Sequence, residues 1–251
     1  MRNHIVSLGL IVGLLLSPTC PLPAQSDSTI APTAKLPAQP TAIRWYHVGA
    51  GLGVVAAATL VDESLRDRIQ RHRTSTGDDV AHAFRHMGEP LVYGTVGLGT
   101  IAVGLLAGNR PLARAGERIS AGLLTAAFVT TILKETVGRR RPGGPADAFN
   151  FRPFSGKDSW PSGHSTMAFA LATGMSDEIH RLPVSVLLYG AATLTAWSRL
   201  NDDRHWLSDV ITGAAVGVTS TKLMNGHWRV LGIRGPRFLL EPKAVGVTLR
   251  F

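Results

Sequence analysis

Six apolar stretches, at about Trp45–Val61, Leu91–Ala107, Ile119–Leu133, Ser165–Met175, Val184–Trp197 and Val210–Met224, alternate with charged segments and read as helices. Many are rich in Gly, Ala and Thr, as in Gly49-Ala50-Gly51-Leu52-Gly53. Small residues let helices approach closely, in membranes above all. Most stretches fall short of the ~20 residues that a spanning helix prefers, yet they carry few charges. The expected fold is an all-α bundle of about six core helices, membrane-embedded, with a periplasmic bundle as the alternative if some stretches do not span. Between the first two stretches, Asp62 to Glu89 reads as a soluble connection. It holds an amphipathic helix with Leu65, Ile69, Val80 and Phe84 along one stripe. Near the C-terminus the period changes to two. Val245, Val247, Leu249 and Phe251 predict a strand, with Arg237 to Glu241 as its hairpin partner. One hairpin cannot close a barrel, so it is an appendage.

Arg2 followed by the apolar run Ile5–Leu16, twelve residues, has signal-peptide length, with a tolerable cleavage site at Ala24. The expected organisation is a signal peptide or N-terminal anchor over 1–24 and a disordered linker over 25–43. The helical domain covers 44–228, and a tail with the hairpin covers 229–251. Cys20 is the single cysteine, which excludes an internal disulfide. The formal charge is +9. Aromatic residues are few and not interleaved with the basic ones, which argues against a nucleic-acid binder. The charge suits an anionic membrane surface or an anionic substrate.

Three short segments carry the chemistry: Lys134-x6-Arg141-Pro142, Pro161-Ser162-Gly163-His164, and Ser198-Arg199-x5-His205-x3-Asp209. Lys134 and Arg141 are seven apart and share a face if one helix runs through both, with Pro142 ending it. Arg141 and Arg199 offer planar forks to phosphate oxygens, and Lys134 a point charge. Pro161-Ser162-Gly163 reads as a helix start whose free N–H groups suit an anion, with the Ser162 hydroxyl as a donor and Gly163 allowing close approach. His205 and Asp209, at i and i+4, are expected to meet on one helical face. The carboxylate then fixes the imidazole tautomer and leaves the other nitrogen to attack phosphorus. His164 is the acid for the leaving oxygen and later the base for water. This predicts a double displacement through a phosphohistidine on His205, starting with His205 neutral and His164 charged. His82 and His86 are four apart, but with Arg85 beside them and no third ligand they read as a polar helix face, not a metal site.

The three segments together resemble the signature of the type 2 phosphatidic acid phosphatase and vanadium haloperoxidase superfamily, with every signature position filled from Lys134 to Asp209. The resemblance implies a helical bundle with its site at one end and hydrolysis without metal or other cofactor. It implies His164 as general acid, His205 as nucleophile and Asp209 as its orienter. Lys134, Arg141, Ser162, Gly163 and Arg199 would bind phosphate. The expected activity is a phosphatase for phosphomonoesters or pyrophosphates, lipid-linked, acting in a bacterial envelope with the site facing the periplasm. No obligate protein partner is deducible. Two alternatives remain open at this stage: a vanadate-dependent haloperoxidase, and a non-enzymatic basic envelope or nucleic-acid-binding protein. A cleaved signal followed by six true spans would turn the site to the cytoplasm. An outward site therefore needs an uncleaved N-terminus or fewer spans.

Overall fold

The computed structural model describes residues 39–143, 147–235, 237–241 and 244–248. The expected signal segment, Cys20, most of the linker and the terminal Phe251 lie outside the described residues.

Seven α-helices follow one another: α1 (Trp45–Arg71), α2 (Ser75–Arg85), α3 (Pro90–Leu106), α4 (Arg110–Val137), α5 (Gly163–Ile179), α6 (Leu182–Asn201) and α7 (Leu207–Met224). A 3-10 turn, His86–Gly88, joins α2 to α3. The boundaries have local causes. Pro90, Pro111 and Pro183 sit in first turns, where a missing N–H costs nothing. Thr74, Asn109 and Ser162 cap α2, α4 and α5 with side-chain oxygens.

α5 is the central helix. It packs on α4, α6 and α7, while α3 lies on α4 and α2 on α6. The core is built from modest side chains: Ile119, Leu123, Ala126, Met167 and Ala170 on one side, and Ala168, Ala172 and Ala192 on the other. Small residues set the closest crossing. A Cβ on Gly213 or Gly217 would fall 2.5 Å from Ser162 O or 2.3 Å from Thr166 O, so α7 reaches α5 only with glycine there. The crossing at Gly213 lies beside the Ser162 cap, so this packing also places the start of α5.

Three expectations change. The first apolar stretch does not give way to a soluble connection at Asp62, because α1 continues to Arg71. Asp62, Arg66 and Gln70, spaced by four, form a polar stripe that is satisfied by the end of α6, the turn after it and the first residues of α7. Asp62 accepts from Ser208 N (3.0 Å), Arg66 forks onto Asp203 (2.7 Å twice), and Gln70 donates to Leu200 O (3.1 Å). The helix bearing Lys134 ends at Val137, well before Pro142, because Gly138 takes the left-handed conformation (φ 58°) of a C-cap. The spacer expected through residue 43 ends in strand β1 (Thr41–Ile43), which pairs in parallel with β2 (Trp228–Val230). β2 in turn pairs with β3 (Ile233–Arg234). This small sheet lies at the end of the bundle where α1 begins and α7 finishes. The C-terminal hairpin is present as β4 (Arg237–Glu241) and β5 (Ala244–Thr248), antiparallel, with Phe238 opposite Val247.

Large apolar side chains cover the outside: Leu52 and Leu60 on α1, Leu98 and Leu105 on α3, Leu124 and Phe128 on α4. Among the described residues α1 is the one helix long and apolar enough to cross a membrane. The bent pair formed by α2 with its turn and α3 passes the same test jointly.

Candidate active site

The three sequence segments meet at the bundle end where α4 and α6 finish and α5 and α7 begin. Main-chain hydrogen bonds tie the lead-in of the second to the first, Ser159 N to Arg139 O (3.1 Å), and the second to the third, Ser162 N to Asp209 O (3.0 Å), while His205 N to Arg199 O (3.3 Å) closes the third on itself. Lys134 comes from the last turn of α4, and Arg141 from the extended segment beyond Gly138. A Cβ on Gly138 would lie 1.8 Å from Arg152 O, so this reversal needs glycine for space as well as for φ. The two cations still converge. Lys134 Nζ donates to the carbonyl of Asp158, and Arg141 forks onto the Asp158 carboxylate at 2.9 and 2.7 Å.

Arg199, 8% exposed, points inward from the end of α6. Its Nη1 reaches Asp202 at only 3.3 Å, and its Nε is one of three buried polar atoms without a protein partner among the described residues. A buried guanidinium with unused donors is a site waiting for an anion. Ser162 is fully buried and its oxygen caps α5, accepting from Ser165 N (3.5 Å) and Ser165 Oγ (3.0 Å). Its service to an anion is therefore mainly the helix start it creates. A Cβ on Gly163 would touch the Lys134 stem at 3.8 Å, which puts this helix start beside the ammonium.

His205 lies before α7, not on it, so the expected shared helical face is replaced by a tighter device. Asp209, at the third position of α7, turns back and accepts from Trp206 N (2.9 Å) and Ser159 Oγ (2.6 Å) through Oδ2. That oxygen is 3.5 Å from His205 Nδ1, while Nδ1 makes its shorter bond, 2.8 Å, to Ser159 O. A carbonyl only accepts, so Nδ1 carries the hydrogen and Nε2 keeps its lone pair. Burial pushes the His205 pKa down, against the opposing pull of the Asp209 carboxylate, and so favours the neutral ring. Burial opposes ionisation of Asp209, but His205, Arg139 and Ser159 outweigh it and hold its pKa low.

His164 sits in the first turn of α5 under the 3-10 turn. A Cβ on Gly88 would be 2.7 Å from its Cδ2, so Gly88 lets the turn close over the ring. Desolvation, then the nearby charges of Arg199 and His205, lower its pKa to about 4. With only the protein's own groups around it, His164 is neutral at pH 7, contrary to the expected charged state. The charged state follows from the role of an acid opposite a neutral nucleophile, whereas burial and the nearby cations disfavour it.

Residues that the motifs did not mark complete the arrangement. Arg139, 1% exposed, donates to Asp209 Oδ1 (2.6 Å) and to Asp62 Oδ2 (2.8 Å). Arg139 was hidden among three consecutive arginines. Asp62 had one legible signal, a charge inside an apolar stretch. Among the described residues no cluster of three His, Cys, Asp or Glu side chains could hold a metal.

Two buried histidines set among cations at the end of a helical bundle are suited to phosphate chemistry. The PAP2 superfamily profile matches residues 118–229. A decaprenylphosphoryl-5-phosphoribose phosphatase of Mycobacterium tuberculosis is 32% identical over 167 residues, 66% of this chain and 86% of that protein. This chain belongs to the PAP2 superfamily, a family of phosphatases. A lipid A 1-phosphatase of Porphyromonas gingivalis is 42% identical over 97 residues, 38% of this chain but only 19% of that much longer protein. The fold resembles the transmembrane PAP2-type phosphatidylglycerolphosphate phosphatase of Bacillus subtilis, with a TM-score of 0.55 over 71% of this chain and 92% of that one, at 22% identity.

Proposed function

We propose that this protein is a metal-independent phosphatase of lipid-linked phosphomonoesters or pyrophosphates, working through a phosphohistidine on His205. The observation that carries the reading is Arg199, a buried guanidinium with an unused donor, facing the same end as Lys134, Arg141 and the two histidines. The relatives that match are named for lipid A and for a decaprenylphosphoryl sugar, which supports a lipid-linked substrate class.

The steps follow from the tautomer. The Nε2 lone pair of His205 forms the N–P bond as the P–O bond to the leaving group breaks, and the leaving oxygen takes a proton from His164. A water then gives its proton to His164 and its oxygen to phosphorus, breaking the N–P bond and releasing inorganic phosphate. The cations and the start of α5 hold the equatorial oxygens. His164 acquires its first proton with the substrate: a bound phosphate offsets Arg199 and Arg141, two of the charges that depress its pKa.

The apolar belt on α1, α3 and α4 seats the bundle in a bilayer, with the polar site end at its surface and the substrate's chain along the belt. We place that end in the periplasm of a bacterial envelope. An impermeant thiol reagent should label a cysteine at Asp147, in a chain lacking Cys20, without disruption of the inner membrane. Labelling only after disruption would reverse the orientation.

The central test is phosphate release from a phosphatidic acid, a polyprenyl diphosphate, lipid A and p-nitrophenyl phosphate in detergent with excess chelator. Release from one or more lipids, and inhibition by vanadate, is expected. No release from any of them, or a chelator-induced loss restored by one metal, would overturn the reading. Activation of halide oxidation by vanadate would make the protein a peroxidase instead.

A further inference from the structure

We propose that Asp62 and Arg139 are positioning residues for the His205–Asp209 pair, and that Asp62 sets the pair's charge by sharing Arg139 with Asp209. This rests on the phosphohistidine reading above.

Arg139 is built in on every side. Nε and Nη2 donate to Ala148 O (2.9 and 2.6 Å), Nη2 also to Asp62 Oδ2 (2.8 Å), and Nη1 to Asp209 Oδ1 and Ser208 Oγ (both 2.6 Å). The rings of Phe151 and Trp206 lie 5.2 and 5.5 Å from its Cζ, within cation–π range. Asp62, 1% exposed and carried on α1, accepts from Ser208 N (3.0 Å) and Ser208 Oγ (2.5 Å) besides Arg139. Arg139 fills an unspecified position between Lys134 and Arg141, and Asp62 lies outside the span that the family profile matches.

The charge count explains why a helix far away in sequence contributes a carboxylate. Arg139 and Asp209 alone would be a neutral buried pair, leaving nothing to balance a cationic ring. With Asp62 the triad has two carboxylates and one guanidinium, a net charge of −1. Hydrogen bonds from Ser159 Oγ, Trp206 N and Ser208 support that charge while His205 is neutral. When Nε2 bonds phosphorus, the ring keeps its Nδ1 hydrogen and becomes cationic, and the buried sum returns to zero. A buried ion is tolerated when it is paired, so the triad favours the intermediate over the free ring. Lys134, Arg141 and Arg199 grip the phosphate from the other face and are untouched by this exchange.

The test restores charge instead of merely removing it. Asp62→Asn keeps the shape but makes the triad neutral. Its kcat should fall about 10- to 100-fold, in the range of outer-shell partners elsewhere, with KM changed less than about twofold. Arg139→Gln added to Asp62→Asn leaves Asp209 alone, again −1, and should recover most of the lost kcat although two native groups are now missing. Vanadate binding, read by calorimetry, needs no turnover and mimics phosphorus on Nε2. It should weaken about tenfold in Asp62→Asn and return in the double variant. If Asp62→Asn does not fold, the double variant carries the test by matching wild type within about threefold. Wild-type kcat in Asp62→Asn, or a double variant worse than the single, would overturn the proposal and reduce Asp62 to a structural clamp. A wild type that binds vanadate but releases no phosphate would sink the phosphatase reading while the binding order still decides this one. A wild type that does neither overturns both.

Discussion

The inner face of His205 meets Asp209, and behind it Arg139 and Asp62, all nearly fully buried and hydrogen-bonded. Lys134, Arg141 and Arg199 gather at the same end of the bundle, and the bonding capacity of Arg199 is only partly used. The inner side is finished before any substrate arrives, as a dry polar network must be, since a half-satisfied one is costly. The cationic side is left incomplete, and on the proposed mechanism phosphate oxygens would complete it. On the proposed mechanism the orientation of the nucleophile would be stored in the fold, while charge stabilisation would be held for the reaction.

The largest effect should come from removing the imidazole at the centre of the site. His205→Gln should lower turnover by roughly four orders of magnitude or more and abolish phosphoenzyme trapped by acid quench. A trapped phosphoenzyme that survives the change would move the nucleophile elsewhere. On the cationic side, Arg199→Ala should lower kcat/KM by about 100- to 1,000-fold, the usual cost of a donor to the developing charge. Because its Nε is unpaired and its one bond, to Asp202, is long, thermal stability should not fall with activity. A large drop in melting temperature alongside would mean that Arg199 is finished structure, like Arg139.

Asp158 should give the opposite sign. Its carboxylate occupies the Arg141 fork that a phosphate would take, and the pair is partly exposed, worth about 1 kcal/mol at most. Asp158→Ala should therefore tighten vanadate inhibition by a few-fold, about three to five. Weaker inhibition would show that Asp158 helps to hold the anion rather than competing with it.

The smallest expected effect is on stability. Burial lowers the pKa of both His164, to about 4, and His205, below the unfolded value near 6.5. Between those values the unfolded chain binds more protons, so stability is complete above about pH 6.5 and falls as the pH drops toward 4. Melting temperature should be lower at pH 5 than at 7.5, with a smaller difference in His164→Gln. Equal differences in the two proteins would remove His164 from this account.

The sequence by itself determined the helical class, the C-terminal hairpin and the segments that converge on the site, because these rest on periodicity and on residue types that few other roles explain. It could not decide how those segments turn. Lys134 and Arg141 reach the same carboxylate through a helix end at Gly138, not along one face, and His205 meets Asp209 from outside α7. A cap depends on what the chain packs against next, here Arg152 O over Gly138. The inner face was the least legible part. Asp62 and Asp209 lie 147 residues apart, and one guanidinium between them is a fact of packing that no local spacing encodes. Only the tertiary structure brings α1 alongside the start of α7. There the low dielectric turns an isolated charge in an apolar helix from a liability into a partner.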